Sequence, residues 1–311
     1  MKPKSDKPYF SLIIPVAPDR GAEVLDSIRR LDFPKSQYEV IVERGTNPSR
    51  NRNNGAKKAK GEILCFLDDD AIVPKGLLTN AEKYFKLFEY HKLAKDYPHN
   101  NIDILGGPQL TPPDDKWFAQ ACGEVLASPF GTLGMSNRYK RGKLNLNAGE
   151  NDLTSANMFV RADAFKKIGG FNEKLYPGED PEFLARAKKK GFRIAYSPDL
   201  IVYHRRRATL MGFIQQFFSY GYVRLKKEKI CKTKARPTFY IPMLFALYVC
   251  SLPFISMFSN LVFVPLLIYF VLAMGFSIRD KPYTLLLPIL FFVLHFFYGL
   301  GMMEYKAERW F

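Results

Sequence analysis

Cysteine is scarce and unpatterned: four residues, at 65, 122, 231 and 250, with no CxxC spacing. That spacing excludes a disulfide framework and a thiolate zinc site, and predicts buried thiols in a reducing compartment. Internal repeats are absent, which excludes a solenoid. A secretory leader is not expected either. The start has lysines and then the apolar run Tyr9 to Ala17, but that run is short, contains Pro15 and meets Asp19-Arg20 instead of a small-residue cleavage site. It reads as a first core strand. Acidic residues are in deficit, 30 against 46 Lys and Arg, for a net charge of +16. This points to anionic partners: nucleic acid, phosphorylated small molecules or an anionic membrane face. Charge is missing altogether from the runs 238–258, 261–278 and 284–303, which contain no Asp, Glu, Lys or Arg. Each approaches the roughly 20 residues needed to cross a bilayer core, so membrane spans are expected and the membrane is favoured over nucleic acid.

What is present is rich in apolar residues, 47% with 15% aromatics, which excludes disorder. Short apolar runs predict strands at 9–16, 38–42, 63–67, 102–106, 157–160 and 193–196. Helices are expected at about 21–31, in the C-terminal part of ERGTNPSRNRNNGAKKAKGE, and at 77–98, 162–168 and 181–190. The Gly-, Pro- and aromatic-rich segment Pro112 to Asn147 is expected to be irregular and substrate-facing. Strand–helix alternation suggests an α/β layer with a parallel sheet, which binds ligands at the carboxyl ends of its strands. Leu210 to Lys229 mixes aromatics with Arg224, Lys226 and Lys227, as an interfacial amphipathic helix would. The basic flank up to Arg236 places the domain before it in the cytoplasm. Three spans put Lys306 and Arg309 outside, which is mildly unfavourable and leaves open a re-entrant or interfacial segment. His295, in the last run, is expected to pack against another helix.

Three clusters carry candidate chemistry. FLDDDAIVP places Asp68, Asp69 and Asp70 directly after a buried run, where like charges need compensation. Two apart in extended chain, Asp68 and Asp70 project to one side and suit a hard divalent cation, while Asp69 points away. Taken alone, the triplet fits an acidic surface turn equally well. In YPGEDPE, Asp180 precedes Pro181 and reads either as a helix N-cap or as a general base. In VYHRRR, His204 reads as a metal ligand or as a satisfied polar residue. The arginines after it hold a diphosphate or solvate a surface.

In this order, FSLIIPV, RNRNNGAKKAKGEILCFLDDD and SANMFVRADAFKKIGGFNEKLYPGEDPEFLARAKKKGFRIAYSPDLIVYHRRR resemble the catalytic domain of glycosyltransferase family 2 over roughly 8–225. The resemblance implies an α/β GT-A fold, the Rossmann-like mixed sheet of nucleotide-diphospho-sugar transferases, followed by C-terminal transmembrane helices. The expected division is a GT-A domain at 1–208, an interfacial basic segment at 209–236 and a membrane region at 237–311. The tail is similar to that of bacterial and archaeal members that build exopolysaccharides, O-antigens or glycolipids.

The resemblance also implies roles. Asp68 and Asp70, completed by His204, hold Mn²⁺ or Mg²⁺ on the donor diphosphate, and Asp180 is the catalytic base. Pro15, Glu43, Arg52, Asn53, Asp69, Arg205 and Arg207 fall on the nucleotide or donor side, and Gly55 completes the Arg52-Asn53 motif. Glu179, Trp117 and Tyr176 fall on the acceptor side. The activity implied is inverting transfer from a nucleotide-diphosphate sugar to a polyprenyl-phosphate-linked or other lipid-linked saccharide. It would take place at the inner (cytoplasmic) membrane, in a multi-pass protein whose catalytic domain faces the cytoplasm, with membrane lipids as partners and no nucleic acid. Glu43-Arg44-Gly45-Thr46 departs from the family's usual aspartate and DGS, so the nucleotide is open. The alternatives are a processive polysaccharide synthase, a metal-dependent nucleotidyltransferase and a non-catalytic membrane scaffold. Gln215-Gln216-Phe217-Phe218 lacks the arginine and tryptophan of the processive motif.

Overall fold

Phe10–Val16 (β1, FSLIIPV) is buried at every position, as a strand covered on both faces requires. The structure, a computed structural model, describes residues 7–90, 101–231, 237–278 and 281–307. After β1 come a short helix, Val24–Ile28 (α1), the strand Tyr38–Arg44 (β2), the helix Pro48–Lys58 (α2), and the strands Ile63–Leu67 (β3) and Ala71–Ile72 (β4). Leu77–Tyr90 (α3) and the strands Ile104–Gly106 (β5) and Gln109–Leu110 (β6) follow. The next elements are Trp117–Ala127 (α4), Pro129–Thr132 (α5), Asn157–Arg161 (β7), Ala162–Ile168 (α6), Glu179–Lys189 (α7), Ile194–Tyr196 (β8) and Val202–His204 (β9). Residues 91–98 of the expected helix at 77–98, with Lys234, Arg236 and Arg309, lie outside the described residues.

Two compact units divide the described chain: residues 1–110 with 137–204, and residues 111–136 with 205–311. The expected continuous domain at 1–208 therefore lacks one piece. The segment 111–136 clusters with the C-terminal helices because it is not irregular, as expected, but forms α4 and α5, whose buried Ala121, Cys122 and Val125 belong to that second unit.

In the first unit the main sheet runs β2-β1-β3-β7-β5-β8. β1 pairs in parallel with both β2 and β3, and β5 pairs in parallel with β8. The fully parallel sheet suggested by alternation does not occur, because β7 is antiparallel to both of its neighbours. Its first residue, Asn157, lies opposite Leu67, the last of β3, so the chain returns at the carboxyl end of β3 and has to run back. The sheet is mixed, as the family resemblance implies. β2 forms its edge, with Val40 and Val42 exposed. Successive side chains of β1 and β3 feed opposite cores: Phe10, Leu12, Ile14 and Cys65 pack with α1 and α3, while Ile13, Leu64 and Phe66 pack with α6 and α7. A buried phenylalanine or leucine of this kind is worth roughly 1.5–3 kcal/mol. At Gly55 in α2, an added Cβ would stand 2.5 Å from Ile13 Cγ2, so glycine sets how closely the helix lies on the sheet. A second, three-stranded sheet, β4-β9-β6, pairs Ala71 with His204 and Gln109 with Val202.

The second unit adds the helices Leu210–Cys231 (α8), Ile241–Ile255 (α9), Val264–Ser277 (α10) and Leu287–Ala307 (α11). With their leading turns, three of them (Pro237–Ile255, Asn260–Ser277 and Thr284–Ala307) are long and apolar enough to cross a membrane. Glycines bring these helices close together. A Cβ on Gly221 would stand 1.9 Å from the Tyr298 carbonyl oxygen, and one on Gly301 would stand 2.0 Å from that of Phe218. Gly299 meets the Pro242 carbonyl oxygen of α9 in the same way, at 2.0 Å. His295 is packed as expected: its Nε2–H donates to the Phe130 carbonyl at 3.0 Å, which leaves Nδ1 to accept from Tyr269 Oη at 2.8 Å. The expected interfacial character of α8 is modified, since Arg224 and Lys227 are buried instead of lining a polar face. Arg224 lies over the Phe239 ring at 4.2 Å and donates to Tyr298 Oη at 3.0 Å, while Lys227 pairs with Glu228 at 3.1 Å. Of the cysteines, Cys65 and Cys122 are buried as expected but Cys250 is exposed, because its face of α9 is uncovered.

Candidate active site

The acidic triplet leaves the carboxyl end of β3, where a sheet of this kind exposes strand ends to a ligand. Local register then brings in the imidazole. Because β4 follows the triplet at once and pairs antiparallel with β9, His204 lies opposite Ala71. His204 Nε2 lies 3.4 Å from Asp68 Oδ2 and 3.2 Å from Asp70 Oδ1. The three residues can each offer one ligand atom, all within 4.8 Å of one another. Two carboxylate oxygens and one imidazole nitrogen form a mostly hard donor set, which suits Mn²⁺ or Mg²⁺.

Two arginines answer the question of compensation. Arg52, buried in α2, donates from Nη2 to Asp68 Oδ1 and from Nη1 to Glu179 Oε1, both at 2.8 Å. Arg20, in the loop after β1, pairs through Nη1 with Asp69 Oδ1 at 3.2 Å and through Nη2 with Asp70 Oδ2 at 3.1 Å. Burial opposes the charge on Asp68, but its hydrogen bond with His204 and the Arg52 charge outweigh it and hold the carboxyl well below the usual carboxylate range. Asp69 is raised by burial despite Arg20. Arg52 stays firmly charged: burial works against it, but Asp68, Glu179 and Asp180 outweigh the cost. Because Arg52 shares its charge between two acids, it compensates Glu179 only in part. Burial first and the neighbouring Asp180 second push Glu179 up to about 7.

Asp180 resolves one alternative. Gly178 stands at the head of α7 with φ 110° and no side-chain cap bond, so the helix starts at Glu179. A left-handed turn at that glycine starts the helix two residues earlier than expected and leaves Asp180 in the first turn, not at the cap. Its Oδ2 accepts from the Ser155 backbone N–H at 3.3 Å, just before β7. The same turn carries Glu179 inward. It is 4% exposed and its Oε1 accepts from Arg52, so its carboxylate lies in the interior beside the acidic triplet.

Other expected residues spread out. Pro15 is buried in β1 and pairs with Glu43 in β2, whose carboxylate holds Lys58 at 2.6 Å. Asn53 is committed to the loop before α7: it donates to the Phe171 carbonyl at 2.9 Å and to Glu173 Oε1 at 3.0 Å, and accepts from the Phe171 N–H at 2.9 Å. Gly170 allows that approach, with φ 68° and no room for a Cβ beside Asn53 Oδ1. Tyr176 is exposed. Trp117, Arg205 and Arg207 belong to the second unit, where Trp117 is exposed at the start of α4 and Arg205 pairs with Asp115 at 2.7 Å and Asp114 at 3.3 Å. The sequence reading missed Arg20 and Ser155. A signal for Arg20 existed, since the loop after β1 must emerge beside the end of β3; none existed for Ser155.

Residues 63–293 match the family described as glycosyl transferase family group 2. The glycosyltransferase AglE of Haloferax volcanii is 23% identical, over 65% of this chain and 69% of that protein. A Methanococcus voltae protein named dolichyl N-acetyl-alpha-D-glucosaminyl phosphate 3-beta-D-2,3-diacetamido-2,3-dideoxy-beta-D-glucuronosyltransferase is 20% identical, over 95% of this chain and 96% of its own. Among solved structures, the mannosyltransferase PcManGT from Pyrobaculum calidifontis, in complex with GDP-Man and Mn²⁺, superimposes with a TM-score of 0.60 at 15% identity. That likeness covers 97% of this chain and 88% of the other, and it establishes a shared fold.

Proposed function

The chain belongs to glycosyl transferase family group 2, and from that membership we propose an inverting, cation-dependent transfer of a sugar from a nucleotide-diphosphate sugar to a hydroxyl of a lipid-linked saccharide. It is a glycosyltransferase of GT-A fold; the stereochemistry, the cation and the acceptor are the proposal. The observation that carries it is the convergence of Asp68, Asp70 and His204 on one point, tied through Arg52 to the turn that holds Asp180.

In this reading Asp180 takes the proton from the acceptor hydroxyl, whose oxygen attacks the anomeric carbon on the face opposite the nucleotide. The new C–O bond forms as the bond to the diphosphate oxygen breaks, and that oxygen keeps the electron pair. General-base help of this kind is typically worth about 10²–10⁴-fold. Asp68, Asp70 and His204 would hold Mn²⁺ or Mg²⁺, which supplies Lewis-acid stabilisation of the diphosphate leaving group. Pro15 and Glu43, near the carboxyl ends of adjacent strands, would flank the nucleotide.

Two supports point to the lipid-linked acceptor: three helices fit to cross a membrane, and the dolichyl-phosphate sugar in the name of the Methanococcus voltae relative. We place the chain as a multi-pass protein of the cytoplasmic membrane with the catalytic unit on the cytoplasmic side, which suits the basic Lys226, Lys227 and Lys229 before the first span.

The test is turnover of purified chain with a panel of nucleotide sugars, Mn²⁺ and polyprenyl-phosphate-linked saccharides, with the anomeric configuration of the product read by NMR. Inverted product, loss of activity in EDTA and recovery with Mn²⁺ or Mg²⁺ are expected. Retained configuration, pyrophosphate as the leaving product, or unchanged activity in EDTA would each sink the corresponding part.

A further inference from the structure

Each carboxylate that faces His204 has its other oxygen held by a different arginine. Asp68 directs Oδ2 at the imidazole while Arg52 Nη2 holds Oδ1 at 2.8 Å. Asp70 directs Oδ1 at the imidazole while Arg20 Nη2 holds Oδ2 at 3.1 Å. Both arginines are anchored a second time through Nη1: Arg52 on buried Glu179 at 2.8 Å, and Arg20 on buried Asp69 at 3.2 Å. Arg52 is further seated over the Phe171 ring, 5.7 Å from its centroid.

We propose that Arg20 and Arg52 are positioning residues that brace the acidic triplet from two elements, so that a divalent cation meets one fixed oxygen from each of Asp68 and Asp70. This rests on the cation site of the proposed function. The argument is one of geometry against charge. As bare charges, two arginines beside a cation site repel the incoming ion. As forks, they fix the χ angles of its ligands before it arrives, and ligand-orienting partners of that kind are typically worth 10–100-fold in metal affinity. A guanidinium spans two acids through separate nitrogens. Lysine carries the same charge on a single nitrogen that ends near the guanidinium carbon, so it cannot hold both acids at these distances. The two braces differ in strength. The Arg52 side chain is 5% exposed and that of Arg20 is 51% exposed, so solvent and salt weaken the second more.

The experiment measures binding of Mn²⁺ alone to the purified full chain, by the EPR signal of free Mn²⁺, for wild type and for Arg52→Lys, Arg20→Lys, Arg52→Gln, Arg20→Gln and Asp70→Ala. Folding of each is checked by circular dichroism. The expected result is about 10–100-fold weaker binding for Arg52→Lys and a smaller loss for Arg20→Lys, with the Gln variants no tighter than wild type. If Arg52→Lys does not fold, the half-exposed Arg20→Lys alone decides. A folded Lys variant with wild-type affinity, or a Gln variant that binds more tightly, overturns the braces and makes the arginines plain counter-charges. If wild type and Asp70→Ala bind Mn²⁺ alike, the cation site itself falls, and that outcome is distinct from the others.

Discussion

The two units solve opposite solvent problems. In the first, the largest apolar side chains are inside: Phe66, Phe159 and Phe183 are fully buried, and charge gathers at one end of the sheet. In the second the order is reversed. Phe258 is 89% exposed and Leu261 76%, while Arg224, Lys227, Glu228 and His295 are buried. An exposed apolar surface of this extent is costly in water and costs nothing in hydrocarbon, where buried polar contacts and close glycine crossings hold helices together instead. Buried charge thus does different jobs in the two places. In the second unit Arg224 and His295 join helix to helix; around Asp68 two arginines each bridge a pair of acids.

This contrast can be broken experimentally. The largest effect is expected at Asp180. Asp180→Asn keeps an oxygen for the Ser155 N–H but removes the base, so turnover should fall by about 10²–10⁴-fold with the melting temperature unchanged. Turnover within a few-fold of wild type in folded protein would remove the base assignment.

The mirror case is Gly301→Leu in α11, which drives a side chain into the Phe218 carbonyl. It should cost about 3 kcal/mol or more and appear as a lower melting temperature or lost yield in detergent. Normal stability there would show that the glycine crossing is incidental.

A smaller loss, about 1–3 kcal/mol, is expected for Tyr298→Phe, which strips buried Arg224 of the hydroxyl that accepts its Nε–H. A thermal melt of the variant reads it directly.

A pH effect is expected from Glu179. With its folded pKa near 7 against about 4.3 for an ordinary glutamate, the unfolded chain releases this proton first as pH rises. The group's stabilising contribution is full below about pH 4 and is lost as pH climbs through 7. Wild type should therefore lose melting temperature relative to Glu179→Gln between pH 5 and 7. Parallel curves would show that Glu179 ionises normally.

Local features of the chain were legible in the sequence; long-range ones were less so. β1 and β3 were readable because unbroken apolar runs of that length fit a strand covered on both faces. The helices α9, α10 and α11 were readable because their runs lack charge over a bilayer's width. The direction of β7 was not readable from strand–helix alternation, since nothing local in NMFVR encodes which end of the sheet the chain returns to. α4 was missed because WFAQACGEVLA carries Gly, Cys and aromatics and opens without a side-chain cap, so tertiary packing and not propensity makes it a helix. At the site, Asp68, Asp70 and His204 were visible as residue types at familiar spacing. The inward turn of Glu179 was hidden, since it depends on the backbone angle of a single glycine.

The two-residue pairing of β4 with β9 has a consequence for how such chains can vary over time. A shift of one residue in that pairing would present Tyr203 to the carboxylates in place of His204. Insertions and deletions should therefore be excluded between Asp68 and Ala71 and between Leu200 and His204. In homologues, length variation near those strands should be far rarer than residue substitution, which makes spacing, more than identity, the feature that descent has to preserve.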